Sequence, residues 1–260
     1  MRLTIVGCTG SMSGPCAASS CYLLQAEDHA GRTWSLALDL GSGALGALWR
    51  HMAPARLDGI ILSHMHADHV VDMIGMHVYR RWHPDGPLPP IPVLAPNGAV
   101  DRIRGVGGDG PAEDYAGEFT FIDHNPEHPY EIGPFHVTSH PVRHPVPAYA
   151  VRITGPSELS QDNAVLTYSG DTDACPGLVD AARDADLFLC EAAFREDMDT
   201  VRGIHLTGRR AGQTAAEANV EYLVLTHIQP WTDPQVILAE SLDVFQGPTA
   251  IAQAGACFTM

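Results

Sequence analysis

The most informative stretch of the chain is an apolar run that ends in a cluster of metal-ligating side chains, Ile60-Ile61-Leu62-Ser63-His64-Met65-His66-Ala67-Asp68-His69. It places three imidazoles and a carboxylate within six residues, and these groups bind zinc and similar divalent ions. Side chains alternate along an extended segment, so His64 and His66 point the same way, whereas Asp68 and His69 lie past a bend into the next helix. The stretch therefore predicts a metal site at the end of a buried strand, with one ion held by the histidine pair and a second by the turn.

This segment resembles the metallo-β-lactamase superfamily, and further ligands follow along the chain in the order that family uses. Asp171 lies in Tyr168-Ser169-Gly170-Asp171-Thr172, and His227 follows the apolar run Val224-Leu225-Thr226. The resemblance implies two divalent ions with a shared carboxylate between them. It assigns one ion to His64, His66 and His144, the other to Asp68, His69 and His227, and the bridging position to Asp171.

His144 is chosen from three histidines, His136, His140 and His144, that lie near the same predicted strand. Tyr149 and a returning strand follow His144, which matches the family pattern of ligand, aromatic turn and strand. His140 stands before Pro141 at a strand end, where a supporting or solvated role is expected.

The resemblance implies an α/β fold, a four-layer αββα sandwich, formed by residues 1–260 as one metal-dependent hydrolase domain. Apolar alternation predicts a first sheet with strands near Leu3–Gly7, Cys21–Ala26, Trp34–Leu40 and Gly59–Leu62, and a helix near Leu45–His51. A second set of strands is predicted at Phe119–Ile122, Phe135–Ser139, Ala148–Thr154, Ala164–Ser169, Asp186–Glu191 and Tyr222–Thr226, with helices at Pro176–Arg183 and Gly208–Asn219. Glycine and proline between Trp82 and Pro92, and between Gly105 and Gly117, predict long loops.

Two glycine-containing turns have both a structural and a ligand-binding interpretation. Asp39 ends a predicted strand before Gly41, and its carboxylate is expected to hold a metal-binding histidine by its second ring N–H. A turn of this kind can also approach a phosphate, as can Gly7-Cys8-Thr9-Gly10-Ser11. The supporting role is favoured for Asp39, and an ordinary turn for the second segment.

A second resemblance concerns Glu191 in Phe188-Leu189-Cys190-Glu191-Ala192-Ala193-Phe194 and His205 in Gly203-Ile204-His205-Leu206-Thr207-Gly208. The pair is similar to a carboxylate–imidazole dyad of the tRNA 3′-processing nucleases and their phosphodiesterase relatives. It implies that His205 donates a proton to the leaving alkoxide and that Glu191 orients it and raises its pKa. The alternative is that His205 is only the neighbour of Thr207 at a helix N-terminus.

Length and charge favour a small substrate within that branch. The tRNA nucleases carry a glycine- and lysine-rich arm between the ligands that correspond to His144 and Asp171, whereas only residues 145–170 intervene here, enough for two strands and a turn. The net charge is −16 and all fifteen basic residues are arginine, so no basic stripe for a phosphate polymer is present. Nucleic acid is therefore not expected as a partner.

The chain also resembles, over nearly its whole length, the actinobacterial atypical class II cyclic-nucleotide phosphodiesterases, which hydrolyse cyclic AMP. The more specific segments are Arg80-Arg81-Trp82-His83-Pro84 and His227-Ile228-Gln229-Pro230-Trp231-Thr232. The resemblance implies a binuclear phosphodiesterase acting on cyclic AMP through metal-activated water. Asp68, Glu191 and His205 are the expected catalytic residues, and Trp82, Phe194 and Trp231 are candidates for stacking on the base.

Zinc is the expected metal, and manganese or iron would suit the same His/Asp set. The alternatives are a tRNA 3′-endonuclease, a lactam or thioester hydrolase, and a non-enzymatic metal-binding sensor domain. No apolar run of 18 residues and no signal-peptide pattern is visible, and the six cysteines form no Cys-x-x-Cys motif. We therefore expect a cytoplasmic protein with reduced thiols and no membrane contact, compatible with a homodimer.

Overall fold

The computed structural model describes all residues, Met1–Met260, and contains two β-sheets with helices on their outer faces. The strands are β1 Arg2–Thr9, β2 Ala18–Ser19, β3 Cys21–Glu27, β4 Thr33–Leu38, β5 Gly59–Ile61, β6 Ile91–Ala95, β7 Phe119–Asp123, β8 Tyr130–Ile132, β9 Phe135–Pro141, β10 Tyr149–Pro156, β11 Asn163–Tyr168, β12 Leu187–Glu191, β13 Tyr222–Thr226, β14 Thr249–Ile251 and β15 Cys257–Thr259. The helices are α1 Ala44–Leu48, α2 Ala67–Val70, α3 Met73–Arg81, α4 Ala99–Gly107, α5 Pro176–Ala182, α6 Gly208–Glu217 and α7 Pro234–Leu242.

Each half of the chain builds most of one sheet. The first sheet has the order β15-β1-β3-β4-β5-β6-β7, with β2 paired to β1, and it is parallel from β4 to β7. The second sheet has the order β14-β13-β12-β11-β10-β9-β8 and is parallel from β11 to β14. The last strand, β15, returns to the first sheet and pairs antiparallel with β1.

Three separate apolar clusters show how the layers pack. One contains inward-facing residues of both sheets, such as Leu36 and Leu166, and lies between the sheets. A second joins the first sheet to α1–α4 through residues such as Met76, and a third joins the second sheet to α5–α7 through residues such as Ala211. The predicted four-layer αββα sandwich is confirmed.

The parallel strands β5, β11, β12 and β13 are buried on both faces, and their polar residues follow at the carboxyl ends. His64 comes three residues after β5, Asp171 three residues after β11, and His227 directly after β13, while Glu191 is the last residue of β12. In α/β sheets, ligand sites form at the carboxyl ends of parallel strands. The topology therefore brings the predicted site residues to one edge of the sandwich.

All ten predicted strands are present within a few residues of the expected bounds, as are the helices at α1, α5 and α6. Helices α3, α4 and α7 and the short strands β2, β6, β8, β14 and β15 were not predicted from the sequence. No helix in the protein combines the length and the apolar character needed to span a membrane.

Candidate metal centre

The seven predicted ligands lie together in two groups that share one carboxylate. In each group the candidate ligand atoms are all within 4.8 Å of one another. The first group is His64, His66, His144 and Asp171, and the second is Asp68, His69, Asp171 and His227. Asp171 is 2% exposed, and its Oδ2 lies 3.6 Å from His64 Nε2 and 3.3 Å from His227 Nε2. This position between the groups is the one a bridging carboxylate would take.

Unpaired buried atoms at the centre of the site fit a cation. His69 donates from Nδ1 to Asp39 Oδ2 over 2.7 Å, and its Nε2 lies 3.2 Å from Asp171 Oδ1. Nevertheless, both His69 Nε2 and Asp171 Oδ1 are buried without a hydrogen-bond partner. Burial lowers the pKa of His69, but Asp171 and Asp39 outweigh burial and raise this pKa well above its ordinary value. The carboxylates thus favour positive charge near Asp171 Oδ1, where no N–H group donates to that oxygen. A divalent ion would supply this charge.

The other ligands are held in the protonation states that bind metal. Burial is the main cause that lowers the pKa values of His64, His66, His144 and His227. Burial alone would raise the pKa of Asp171, but the surrounding histidines hold it well below its ordinary value. Neutral imidazoles and ionised carboxylates are the forms that coordinate a metal, so the donor set fits two divalent ions.

Asp39 supports the site from below, as the sequence predicted. Besides His69, its carboxylate accepts the backbone N–H of Ser63 over 2.7 Å and the Tyr168 hydroxyl over 2.7 Å. The Ser63 hydroxyl also donates to Asp39, and its oxygen lies 3.1 Å from His64 Nδ1. One buried carboxylate therefore orients ligands of both groups. The role of Tyr168 was not predicted, because in the sequence it looks like an ordinary strand residue.

Two glycines allow close backbone approach to the ligands. A side chain at Gly41 would collide with the backbone oxygen of Asp68, and one at Gly10 would collide with the backbone oxygen of His227. His227 itself has φ of 58°, in the left-handed region that disfavours residues other than glycine. The two turns flagged in the sequence therefore have a structural explanation.

Glu191 and His205 form the predicted carboxylate–imidazole pair. His205 donates from Nδ1 to Glu191 Oε1 over 2.8 Å, and Nδ1 lies 3.9 Å from Asp171 Oδ2. Glu191 is fully buried and also accepts the backbone N–H groups of Thr172 and Ala193. Burial lowers the pKa of His205, but the charge and hydrogen bond of Glu191 outweigh it and raise the pKa to about 9. The arrangement favours the protonated imidazole beside the metal centre.

The loop that carries His205 is clamped by a buried ion pair. Asp173 is fully buried, pairs with the guanidinium of Arg210 and accepts the backbone N–H of Gly203. The same guanidinium donates to the His205 carbonyl over 3.4 Å. On the other side, His144 donates from Nδ1 to the Ile204 carbonyl over 2.9 Å. No motif in the sequence signals this clamp.

The two histidines weighed against His144, and three arginines near the site loops, are engaged in contacts outside the ligand groups. His136 pairs with Glu131 at the surface, and His140 contacts Thr138. Arg195, Arg209 and Arg210 each pair with a carboxylate of the protein.

Among the stacking candidates, Phe194 has its ring 5.0 Å from that of His205, centre to centre. Trp82 and Trp231 are 75% and 69% exposed, and neither ring makes an aromatic contact within the protein. Phe194 is therefore the candidate that lies beside the dyad.

A four-layer αββα sandwich with two His/Asp groups at one edge defines a metal-dependent hydrolase of the metallo-β-lactamase fold. The chain belongs to the β-lactamase superfamily, since the family model described as "Beta-lactamase superfamily domain" matches residues 39–228. It is therefore a metallo-hydrolase of that superfamily, in which divalent metal binding is expected of the His/Asp groups.

Three relatives illustrate the family. An uncharacterized protein of Mycobacterium leprae (strain TN) is 39% identical over 260 residues, covering 99% of this chain and 88% of that protein. The crystal structure of the metallo-β-lactamase fold protein YhfI from Bacillus subtilis matches with a TM-score of 0.83 at 27% identity, covering 99% of this chain and 98% of that one. A ribonuclease Z of Kineococcus radiotolerans is 26% identical over 282 residues, covering 92% of this chain and 87% of that protein.

Proposed function

We propose that this protein is a binuclear metal-dependent phosphodiesterase that hydrolyses a small phosphodiester, 3′,5′-cyclic AMP. The seven residues of the two ligand groups would hold two Zn²⁺ ions. The same His/Asp donors would also suit Mn²⁺ or Fe²⁺. When bound, such ions lower the pKa of a water and offset negative charge on the phosphate.

The observation that carries the proposal is the Glu191–His205 pair beside Asp171. A buried carboxylate that holds an imidazole in its protonated form is the design of a general acid. His205 Nδ1 is occupied by Glu191, and Nε2 makes no hydrogen bond to the protein, so Nε2 is the atom that delivers the proton to the departing ribose oxygen. Asp68, whose side chain is 15% exposed, can position the attacking water.

Charge and topology support a small substrate over tRNA. Residues between His144 and Asp171 form only the antiparallel pair β10–β11, with no further arm. At a net charge of −16 without lysine, the chain has little with which to hold a phosphate polymer. The ribonuclease Z relative makes tRNA 3′-endonuclease activity the second candidate.

Location and oligomeric state are part of the same proposal. None of the six cysteines forms a disulfide, which supports a reducing, cytoplasmic setting. A homodimer is compatible with the proposed function, and light scattering on the purified chain tests it.

The test is a substrate panel on the full chain with its metal content measured. We expect about two equivalents of metal and faster hydrolysis of cyclic AMP than of pre-tRNA or a cephalosporin. Site-specific 3′ cleavage of pre-tRNA at a higher rate would instead favour the nuclease. Bound metal without turnover of any substrate would favour a metal-binding sensor domain.

A further inference from the structure

A cavity opens directly beside the metal centre, on the side of His66. Its volume is about 450 Å³, within the range of small-molecule sites. Besides His66 it is lined by Met65, Pro96, Asn97, Gly98, Arg102, Val146 and Pro147. The walls come from the residues that follow β5, from the loop between β6 and α4, from α4 itself, which carries Arg102, and from the segment that follows His144. Pro96 and Pro147 restrict the backbone of two of these walls.

Arg102 differs from most arginines of this acidic chain. Eight of the fifteen arginines pair with a carboxylate: Arg32, Arg81, Arg104, Arg183, Arg195, Arg202, Arg209 and Arg210. Arg102 has no carboxylate within pairing distance. Its Nε donates to the Met65 carbonyl over 3.1 Å, which anchors the guanidinium at the cavity. Both terminal nitrogens make no hydrogen bond to the protein and are free to donate to a ligand.

The cavity also offers an acceptor. Asn97 donates from Nδ2 to Asp123 Oδ2 over 3.0 Å, and its Oδ1 makes no hydrogen bond to the protein. An apolar ligand would leave the free donors of Arg102 unpaired, and a simple anion would leave the Asn97 oxygen and the apolar walls unused. A flat heterocycle with its own acceptors and donors uses all three features.

We propose that this cavity binds the nucleoside part of the substrate, with Arg102 donating to acceptor atoms of the base. The inference rests on the proposed function, because the phosphate of the same substrate would lie at the adjacent metal centre. It assigns substrate selectivity to residues outside the ligand groups and outside the aromatic residues considered from the sequence.

The test compares Arg102→Met with Arg56→Met, since Arg56 is also exposed and free of a carboxylate partner but does not line the cavity. A hydrogen bond from a charged donor contributes enough binding energy that its loss raises KM about 10- to 100-fold. We expect that rise for cyclic AMP in Arg102→Met, with kcat within about threefold of the wild-type value. Methyl p-nitrophenyl phosphate has no base, so its kcat/KM should fall less than about threefold. Arg56→Met should behave as the wild type on both substrates.

A second measurement does not depend on turnover. Adenosine should bind the metal-free wild-type chain in equilibrium dialysis and should bind Arg102→Met at least about tenfold more weakly. Equal adenosine affinity in the two proteins, or an unchanged KM for cyclic AMP in Arg102→Met, overturns the cavity assignment. If adenosine binding depends on Arg102 but the loaded wild-type enzyme hydrolyses no cyclic nucleotide, the cavity assignment stands and the proposed function fails.

Discussion

Replacing His205 with glutamine separates proton delivery from metal binding. A glutamine amide can still donate an N–H to Glu191, but it carries no proton that can be transferred to a leaving group. Glu191 also keeps the backbone N–H groups of Thr172 and Ala193 as donors at 2.9 and 3.1 Å. We therefore expect the variant to fold, with a stability loss of about 1–2 kcal/mol, because the buried carboxylate is not left without partners. None of the seven proposed ligands is altered, so metal content should be unchanged.

The expected kinetic effect depends on the leaving group. A lost general acid lowers turnover by about 10²–10⁴-fold when the departing oxygen is a poor leaving group, which is a barrier increase of about 3–5 kcal/mol. The ribose alkoxide of cyclic AMP is such a group, whereas p-nitrophenolate departs without protonation. His205→Gln should therefore lose at least about tenfold more activity on cyclic AMP than on methyl p-nitrophenyl phosphate.

The assay measures kcat and KM on both substrates, together with metal content, for the wild type, His205→Gln and His140→Gln. His140 is a half-buried histidine that contacts Thr138, outside both ligand groups, so the same substitution there controls for loss of an imidazole. KM for cyclic AMP should stay within about threefold of the wild-type value, since the lost interaction forms in the transition state. Equal losses on the two substrates, with both metals retained, would refute proton delivery by His205.

Three further predictions concern the metal bridge, the clamp and a buried histidine. Asp171→Ala should lower the occupancy of both metals, whereas His227→Ala should mainly empty one, and two retained equivalents in Asp171→Ala by elemental analysis would contradict the bridge. Asp173→Asn leaves the Arg210 guanidinium without its carboxylate, so the free energy of unfolding measured in urea should fall by about 2 kcal/mol. Turnover of cyclic AMP should fall more than turnover of methyl p-nitrophenyl phosphate. Equal losses on both substrates would show that the Asp173–Arg210 pair does not position His205. Burial lowers the pKa of His124 to about 4, below the unfolded value of about 6.5, so its contribution to stability is present above pH 6.5 and is lost as the pH falls towards 4. Between pH 7 and pH 4 the metal-free wild type should lose about 3 kcal/mol more unfolding free energy than His124→Gln, and parallel urea-denaturation curves for the two would refute this.

The candidate ligands could be predicted from the sequence because their chemistry is local. His64, His66, Asp68 and His69 lie within six consecutive positions, and Asp171 follows a recognisable strand ending. Glu191 and His205 are 14 residues apart, yet each lies in a segment with its own pattern. A short segment of the right residue types at a strand end is enough to indicate such a site, since sheet topology then brings the ends together.

Other features depend on contacts between distant segments that no local pattern reports. The pairing of β15 with β1 joins the two ends of the chain, and α7 was missed because it buries little more than Ile237 and Ser241 against α6. In sequence terms Asp173 and Arg102 look like ordinary surface residues. In the structure Asp173 is fully buried in an ion pair with Arg210, and Arg102 is held at the edge of a cavity by the Met65 carbonyl.

The pairing of charges would allow so acidic a chain to receive the anionic substrate proposed above. A net charge of −16 repels a phosphate at long range, and this repulsion grows with each phosphate of a polymer. At the site itself, Asp39 and Asp171 are surrounded by histidines and hydroxyl donors, and bound metal would reverse the local sign. Arg102 beside Met65 adds positive charge that no carboxylate of the protein neutralises. Arg102 and metal bound at the two ligand groups would thus place positive charge together at one edge of the sandwich, an arrangement that suits a compact substrate with a single phosphate better than a long polyanion.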